Sequence, residues 1–271
     1  MPMRVCTTLR VVAGVLALLA TGPAAHAGIM LESGNAKAVI DLDEPAGLTS
    51  WTVGGTEYLG RQWFWYRFGT CGGERPLDDL SLVRDHAVDT DGDGRDDALA
   101  LTYAGGDLQV DLTYLLSAGA DGDSSSLIET IRLRNTGGGT LDLHFFQLTD
   151  FNLRLHAGDD TAETTGGNTT ETSDGLFLSE VSVAPRPDHF QTDTAANLLA
   201  LLTDGSPTTL DDVPGLVTGD VASAFQWDEG LGPGESVLLS ANKHVVPEPA
   251  SLLLLASGSA AAVLLRRRRR R

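Results

Sequence analysis

The chain predicts an all-β fold, a single large antiparallel β-sandwich, on three observations. Apolar residues alternate with polar ones at period two, as in Ala38-Ile40-Leu42, Leu99-Leu101-Tyr103, Leu108-Val110-Leu112, Ile131-Leu133, Leu141-Leu143-Phe145 and Val237-Leu239. Such alternation gives a strand one face for a core and one for water. Glycine and acid punctuate the runs at Gly105-Gly106-Asp107, Asp121-Gly122-Asp123, Gly137-Gly138-Gly139 and Gly232-Pro233-Gly234, which is the chemistry of hairpin turns. Convincing amphipathic helices are missing. Thr194 to Thr203 could form a short one, but its Leu198-Leu199-Ala200-Leu201-Leu202 centre fits a buried strand as well. Two facing sheets with roughly a dozen strands would bury all the inward faces.

The first element is a leader. Arg4 and Arg10 precede an apolar stretch from Val11 to Ala20, and Ala25-His26-Ala27 supplies the small-x-small pattern that signal peptidase cuts. Residues 1–27 are therefore expected to be a signal peptide, with Gly28 as the new N-terminus and the sandwich domain occupying 28–245. A domain of that size buries on the order of 70% of its unfolded surface and stands without staples. Between leader and tail fall 11 basic and 36 acidic residues, a net charge of −25. That field repels nucleic acid and anionic lipid and favours divalent cations or basic partners. Cys6 lies in the leader, so Cys71 stands alone in the body and forms no intramolecular disulfide. Its Gly69-Thr70-Cys71-Gly72-Gly73 setting predicts a turn holding a buried, inert thiol, with a thiol that links chains or is modified as the alternative.

Next comes Gln62-Trp63-Phe64-Trp65-Tyr66-Arg67-Phe68. In a strand Trp63, Trp65 and Arg67 share one face while Phe64, Tyr66 and Phe68 share the other. A central strand buried on both sides explains this. The sharper reading makes Trp63 and Trp65 a platform on which sugar rings stack, to which Trp51 and Trp227 could contribute.

Asp89-Thr90-Asp91-Gly92-Asp93-Gly94-Arg95-Asp96-Asp97 carries the clearest chemistry. Carboxylates at alternate positions before a glycine wrap oxygen ligands around a hard cation the size of calcium. Asp89, Asp91 and Asp93 would bind through side chains, Arg95 through its carbonyl, and Asp97 directly or through water. The register resembles the start of an EF-hand loop but has Ala100 where the bidentate Glu belongs, and its flanks, His86 to Val88 and Ala98 to Tyr103, read as strands. It is more similar to calcium loops set in hairpins, as in integrin-type propellers and thrombospondin-like repeats. Without the last ligand the affinity should be on the order of 0.1 to 1 mM, with the ion structural. An acidic turn is the alternative.

Thr161 to Ser173 reads as a long exposed loop whose hydroxyls could carry sugars. The phrases Ile131 to Gly137 and Leu231 to Ser236 resemble, loosely, those of bacterial surface sandwiches. The histidines His86, His144, His156, His189 and His244 lack zinc spacing, and no nucleophile elbow or phosphate loop occurs. Acids are so abundant that a pair such as Asp150 and Asp159 cannot be singled out for glycoside hydrolysis.

The final element, 246–271, holds Pro247-Glu248-Pro249, an apolar run over 250–265 and six arginines, Arg266 to Arg271. As a helix the run spans roughly 24 Å, short of a hydrocarbon core of about 30 Å, a gap that snorkelling arginines cover. Arginines beside a membrane segment stay cytoplasmic, so the body should lie beyond the inner membrane. This tail resembles the PEP-CTERM signal of Gram-negative bacteria. The resemblance implies recognition by an exosortase, removal of the helix after transient membrane anchoring, and release or re-attachment at the cell surface, often amid an exopolysaccharide matrix. An unprocessed anchor is the alternative. The expected function is a non-enzymatic, structural or interaction protein of the cell surface or extracellular matrix, stiffened by calcium. A carbohydrate-active or polysaccharide-binding protein is the alternative.

Overall fold

The alternating runs pair into two antiparallel sheets that face each other. The computed structural model describes residues 28–42, 47–120, 122–153, 160–173 and 176–247. Its strands begin with β1 (Ile29–Ser33), β2 (Ala36–Asp41), β3 (Gly47–Val53), β4 (Thr56–Glu57), β5 (Leu59–Phe68) and β6 (Arg75–Pro76). A 3₁₀ turn, Leu77–Asp79, leads to β7 (Ser81–Val88), β8 (Ala98–Gly105), β9 (Leu108–Ala118), β10 (Ser125–Asn135) and β11 (Leu141–Phe151). There follow β12 (Asp160–Thr165), β13 (Asn168–Ser173), β14 (Leu176–Ala184), β15 (His189–Thr194), helix α1 (Ala195–Thr203), β16 (Leu216–Gly219), β17 (Val221–Leu231) and β18 (Ser236–Pro247). The leader, Glu248 and Pro249, and the apolar and arginine parts of the tail lie outside the described residues, as does Asp159.

The first sheet runs β1, β2, β3, β5, β11, β17, β15, with β4 on β3 and β6 on β5; the second runs β16, β12, β13, β14, β18, β10, β9, β8, β7. Each has nine strands, more than the dozen expected in total, because short segments such as β4 and β6 carry no alternation that could announce them. Among the described residues no helix is long and apolar enough to cross a membrane.

Alternation is cleanest in β10, where Leu127, Ile131 and Leu133 are buried and Ile128, Arg132 and Arg134 face out. The inter-sheet core is aromatic on the first sheet: Phe64 stacks on Phe145 at 5.5 Å, and Phe145 meets Trp227 at 6.4 Å. Trp51 reaches across, its indole N–H donating to Ser125 Oγ at 3.3 Å. β11 departs from alternation; Phe145 to Phe151 are all buried, because α1 and the chain after it cover the outer face of the first sheet. Small Ala222 and Ala224 on that face of β17 leave room for the helix.

One expectation changes, and one open choice is decided. Thr161 to Ser173 is a hairpin, β12 with β13, and not an exposed loop; β-branched threonines suit strands, and Thr164 and Thr169 pair inside at 3.0 Å. Of the two readings of Thr194 to Thr203 the helix is the one formed, over Ala195–Thr203, with the Thr194 hydroxyl capping it by accepting from Asn197 N–H at 3.3 Å.

Candidate functional site

On the outer face of the first sheet a cavity of about 570 Å³ opens between β5 and α1. This volume falls within the range of small-molecule sites. Trp63 and Trp65 form its floor, Leu199 and Leu202 its helical wall, and Glu74 and Asp78 its polar side. Strand parity puts both indoles on this face, as the sequence predicts, while Phe64 and Tyr66 turn into the core. Trp63 is fixed from two sides. Its N–H donates to Asp78 Oδ1 at 2.8 Å, and its ring meets Tyr103 edge-on at 6.1 Å. β5 is thus covered on both faces, as the reading of a central buried strand has it, and its outer cover encloses a cavity. Trp51 and Trp227 lie on the inner face and take no part in the floor.

Glu74 is buried, and its Oε1 accepts from Arg67 Nε at 3.0 Å and from Thr208 N–H at 2.8 Å. Arg67 also donates to the carbonyls of Gly69 and Thr208. Glu74 Oε2 has no hydrogen-bond partner.

Behind the lining residues Gly60 and Arg61 is Asp150, the cross-strand partner of Arg61. A Cβ on Gly60 would sit 3.0 Å from Asp150 Oδ2 and 2.2 Å from Asn152 Nδ2, so only glycine lets this cavity wall approach the carboxyl. Burial, then the neighbouring acid Asp220, and less strongly Asp160, push Asp150 up to about 7 against the pull of Arg61. It can carry a proton near neutral pH.

Beyond Arg67 the same face bears a row of alternating bases and acids. His144 Nδ1 lies 2.6 Å from Asp228 Oδ1, Asp228 Oδ2 lies 3.5 Å from His189 Nε2, and His189 Nδ1 lies 2.6 Å from Asp212 Oδ2. The Asp212 backbone has a φ of 58°, the one positive value outside glycine among the described residues. That conformation lets its carboxylate also accept from Phe190 N–H at 3.0 Å. Sequence reasoning missed this row because its members come from β11, β15, β17 and the chain after α1.

In the β7–β8 connection, Asp89, Asp91 and Asp93 bring oxygens within 4.8 Å of one another. Asp89 accepts from Gly92 and Gly94 N–H at 2.7 and 2.9 Å, and the Gly94 and Gly92 bonds hold its carboxyl below its usual range. Gly92 and Gly94 have φ of 81° and 89°, which glycine alone adopts freely. Asp97 stands apart from the three: both its oxygens accept from Thr90, at 2.8 and 2.7 Å, and it anchors the base of the loop. Arg95 N–H donates to Asp93 Oδ1 at 2.9 Å. Cys71 is exposed, not buried, since its glycine-flanked turn packs nothing over the thiol. Pro247 ends β18 opposite Leu176, so the first residue of the sorting motif is also the last of the sheet.

No curated protein matches the chain in sequence. Three solved structures share the body's architecture. A bacterial glucoamylase in complex with acarbose aligns over 83% of this chain at 7% identity and TM-score 0.55, and the chain spans 34% of that protein's length. An aldose epimerase homologue from C. elegans aligns over 82% of this chain and 100% of its own, at 11% identity and TM-score 0.52. A galactose mutarotase related enzyme from Lactobacillus acidophilus aligns over 81% and 97%, at 9% identity and TM-score 0.52. At these identities the likeness is one of fold. It nonetheless corrects the expectation of a non-enzymatic body, because this sandwich is an architecture on which carbohydrate enzymes are built. Residues 245–270 match the PEP-CTERM protein-sorting motif, and the chain is thus an exosortase-sorted, exported protein whose body has the sandwich fold of these structures.

Proposed function

We propose that the exported body is a carbohydrate-active protein that holds a sugar in the cavity over Trp63 and Trp65. The observation that carries this is the cavity itself, with two indoles for its floor and Asp78 beside them. Sugar rings offer an apolar C–H face for the indoles and hydroxyls for the acid. Asp150 is the candidate proton donor, since a carboxyl with a pKa of about 7 suits acid–base work at neutral pH. The sugar would come from the polymers of the exopolysaccharide matrix. The test is titration of the purified protein with neutral oligosaccharides, followed by indole fluorescence. Trp65→Phe and Trp63→Phe should weaken binding with the fold kept, whereas Trp227→Phe should leave it unchanged; equal binding by all three would sink the reading.

A second element of the proposal is a structural calcium ion at Asp89, Asp91 and Asp93, with the Arg95 carbonyl as a further oxygen. The proximity of the three carboxylates supports it. The ion would neutralise mutual repulsion at the tip of the β7–β8 hairpin, and the position of Asp97 assigns that residue to holding the loop.

A further inference from the structure

We propose that Ser126, His244 and Asn242 form a second site, an acyl-transfer centre on the outer face of the second sheet that cleaves carboxylic esters, with Ser126 as the nucleophile. It is independent of the cavity over Trp63 and Trp65. Ser126 Oγ lies 2.7 Å from His244 Nδ1, and His244 Nε2 lies 2.9 Å from Asn242 Nδ2. Cross-strand pairing makes the first contact, since Ser126 of β10 stands opposite His244 of β18. Strand parity makes the second, since Asn242 precedes His244 by two residues on the same face. A hydroxyl on an imidazole that a third side chain orients is the arrangement by which a weak nucleophile gains a base. All three residues are partly exposed. Ile128 and Val246, 38% and 40% exposed on the same face, flank them with apolar surface for an acyl chain.

The Asn242 amide sets where the imidazole proton sits. With Nδ2 donating to Nε2, that proton is on Nδ1, and Asn242 Oδ1 is buried without a partner. A half-turn of the amide exchanges the two atoms, so that Oδ1 accepts from Nε2–H and Nδ1 accepts from the Ser126 O–H. In that state Oγ bonds to an ester carbonyl carbon as its proton passes to Nδ1; the bond to the leaving alcohol breaks, and the alcohol takes the proton. Water then gives a proton to Nδ1 and bonds through its oxygen to the acyl carbon, and Ser126 Oγ leaves with the proton, freeing the acid. Strand pairing on both sides commits the backbone around Ser126 to β9 and β18, which leaves base and nucleophile to supply the rate. An oxyanion donor is worth on the order of a hundredfold, so without one the fitting substrates are esters with a good leaving group.

Diisopropyl fluorophosphate, which loses fluoride to a serine oxygen that has a base, is the probe on the intact protein, with the modified residues followed by mass spectrometry of the peptides. Ser126 should react at least tenfold faster than Ser236, an exposed serine of the same face whose hydroxyl accepts from Arg132 Nε at 3.4 Å. Ser125 should stay unmodified, because its hydroxyl is buried and donates to the Ser117 carbonyl at 3.0 Å. His244→Gln should slow the modification of Ser126 at least tenfold, and Ser126→Ala should slow hydrolysis of p-nitrophenyl acetate by as much. Should His244→Gln fail to fold, Asn242→Asp decides, because a carboxylate can only accept from Nε2–H and so fixes the reactive arrangement; it should speed modification at least threefold. Ser126 no faster than Ser236, hydrolysis unchanged in Ser126→Ala, or a rate indifferent to His244→Gln or Asn242→Asp overturns the inference and leaves the three residues a cross-strand hydrogen-bond network.

Discussion

Lys243 Nζ lies 2.7 Å from Glu129 Oε2, with both side chains fully buried between the two sheets. The same carboxylate oxygen accepts from Gln147 Nε2 at 2.7 Å, so one ionic group ties β10 and β18 of the second sheet to β11 of the first. Removing a single member leaves an uncompensated charge in an apolar core. Lys243→Met should therefore cost about 3–5 kcal/mol by denaturant unfolding, whereas Lys243→Met combined with Glu129→Leu should recover most of it. A double variant no better than the single would show that the pair is not the reason for the loss.

Asp212 combines a left-handed backbone with hydrogen bonds to His189 and Phe190. Substitution by alanine removes the bonds and keeps the unfavourable φ; substitution by glycine removes the bonds and relieves it. Asp212→Ala should be less stable than Asp212→Gly by about 1 kcal/mol, measured by urea unfolding. Both should loosen the chain after α1, seen as faster amide exchange at Leu210, whose N–H donates to Gln226 Oε1 at 3.0 Å.

The Asp150 carboxyl has a folded value of about 7 against an ordinary value of 3.8. Between those values the folded protein keeps a proton that the unfolded chain has released. Stability from this group is complete below the ordinary value and is lost as pH rises through about 7. Asp150→Asn, which cannot ionise, should match the native protein near pH 4 and exceed it near pH 8, by up to about 4 kcal/mol. Thermal melts across that range would show the gap; a constant difference at all pH values would mean that the carboxyl titrates normally.

Calcium should raise the melting temperature and titrate with measurable heat at 0.1 to 1 mM, on the order expected of extracellular sites. Asp91→Asn together with Asp93→Asn should abolish both effects. Asp97→Asn should act differently: it weakens the clamp on Thr90 N–H and Oγ1, and so lowers stability with or without the ion. Melts indifferent to chelator would make the loop an acidic turn.

Features that depend on contiguous residues were legible in the sequence. The PEP-CTERM tail is read from neighbouring residues and needs no fold. Period-two runs report strands, because alternation is a property of the extended backbone, and the parity of β5 put Trp63 and Trp65 on one face before any partner was known. The spacing of Asp89, Asp91 and Asp93 likewise brings their oxygens together through local turns. The threonine hairpin was misread because its inward face is polar, and the pattern being sought was apolar.

Tertiary structure decided what covers those faces. Whether Trp63 and Trp65 would be sealed or hollow depended on α1 landing across β17, and that followed from Ala222 and Ala224 in a strand some 160 residues away. Glu74 meets Thr208 across 134 residues, and His144 meets Asp228 across 84, through strand register and the path of one connecting segment. Such meetings leave no local periodicity, since each side chain obeys only the parity of its own strand. The chain alone determined where the protein is sent and that it is built of sheets. Packing one helix on one sheet determined where its cavity lies.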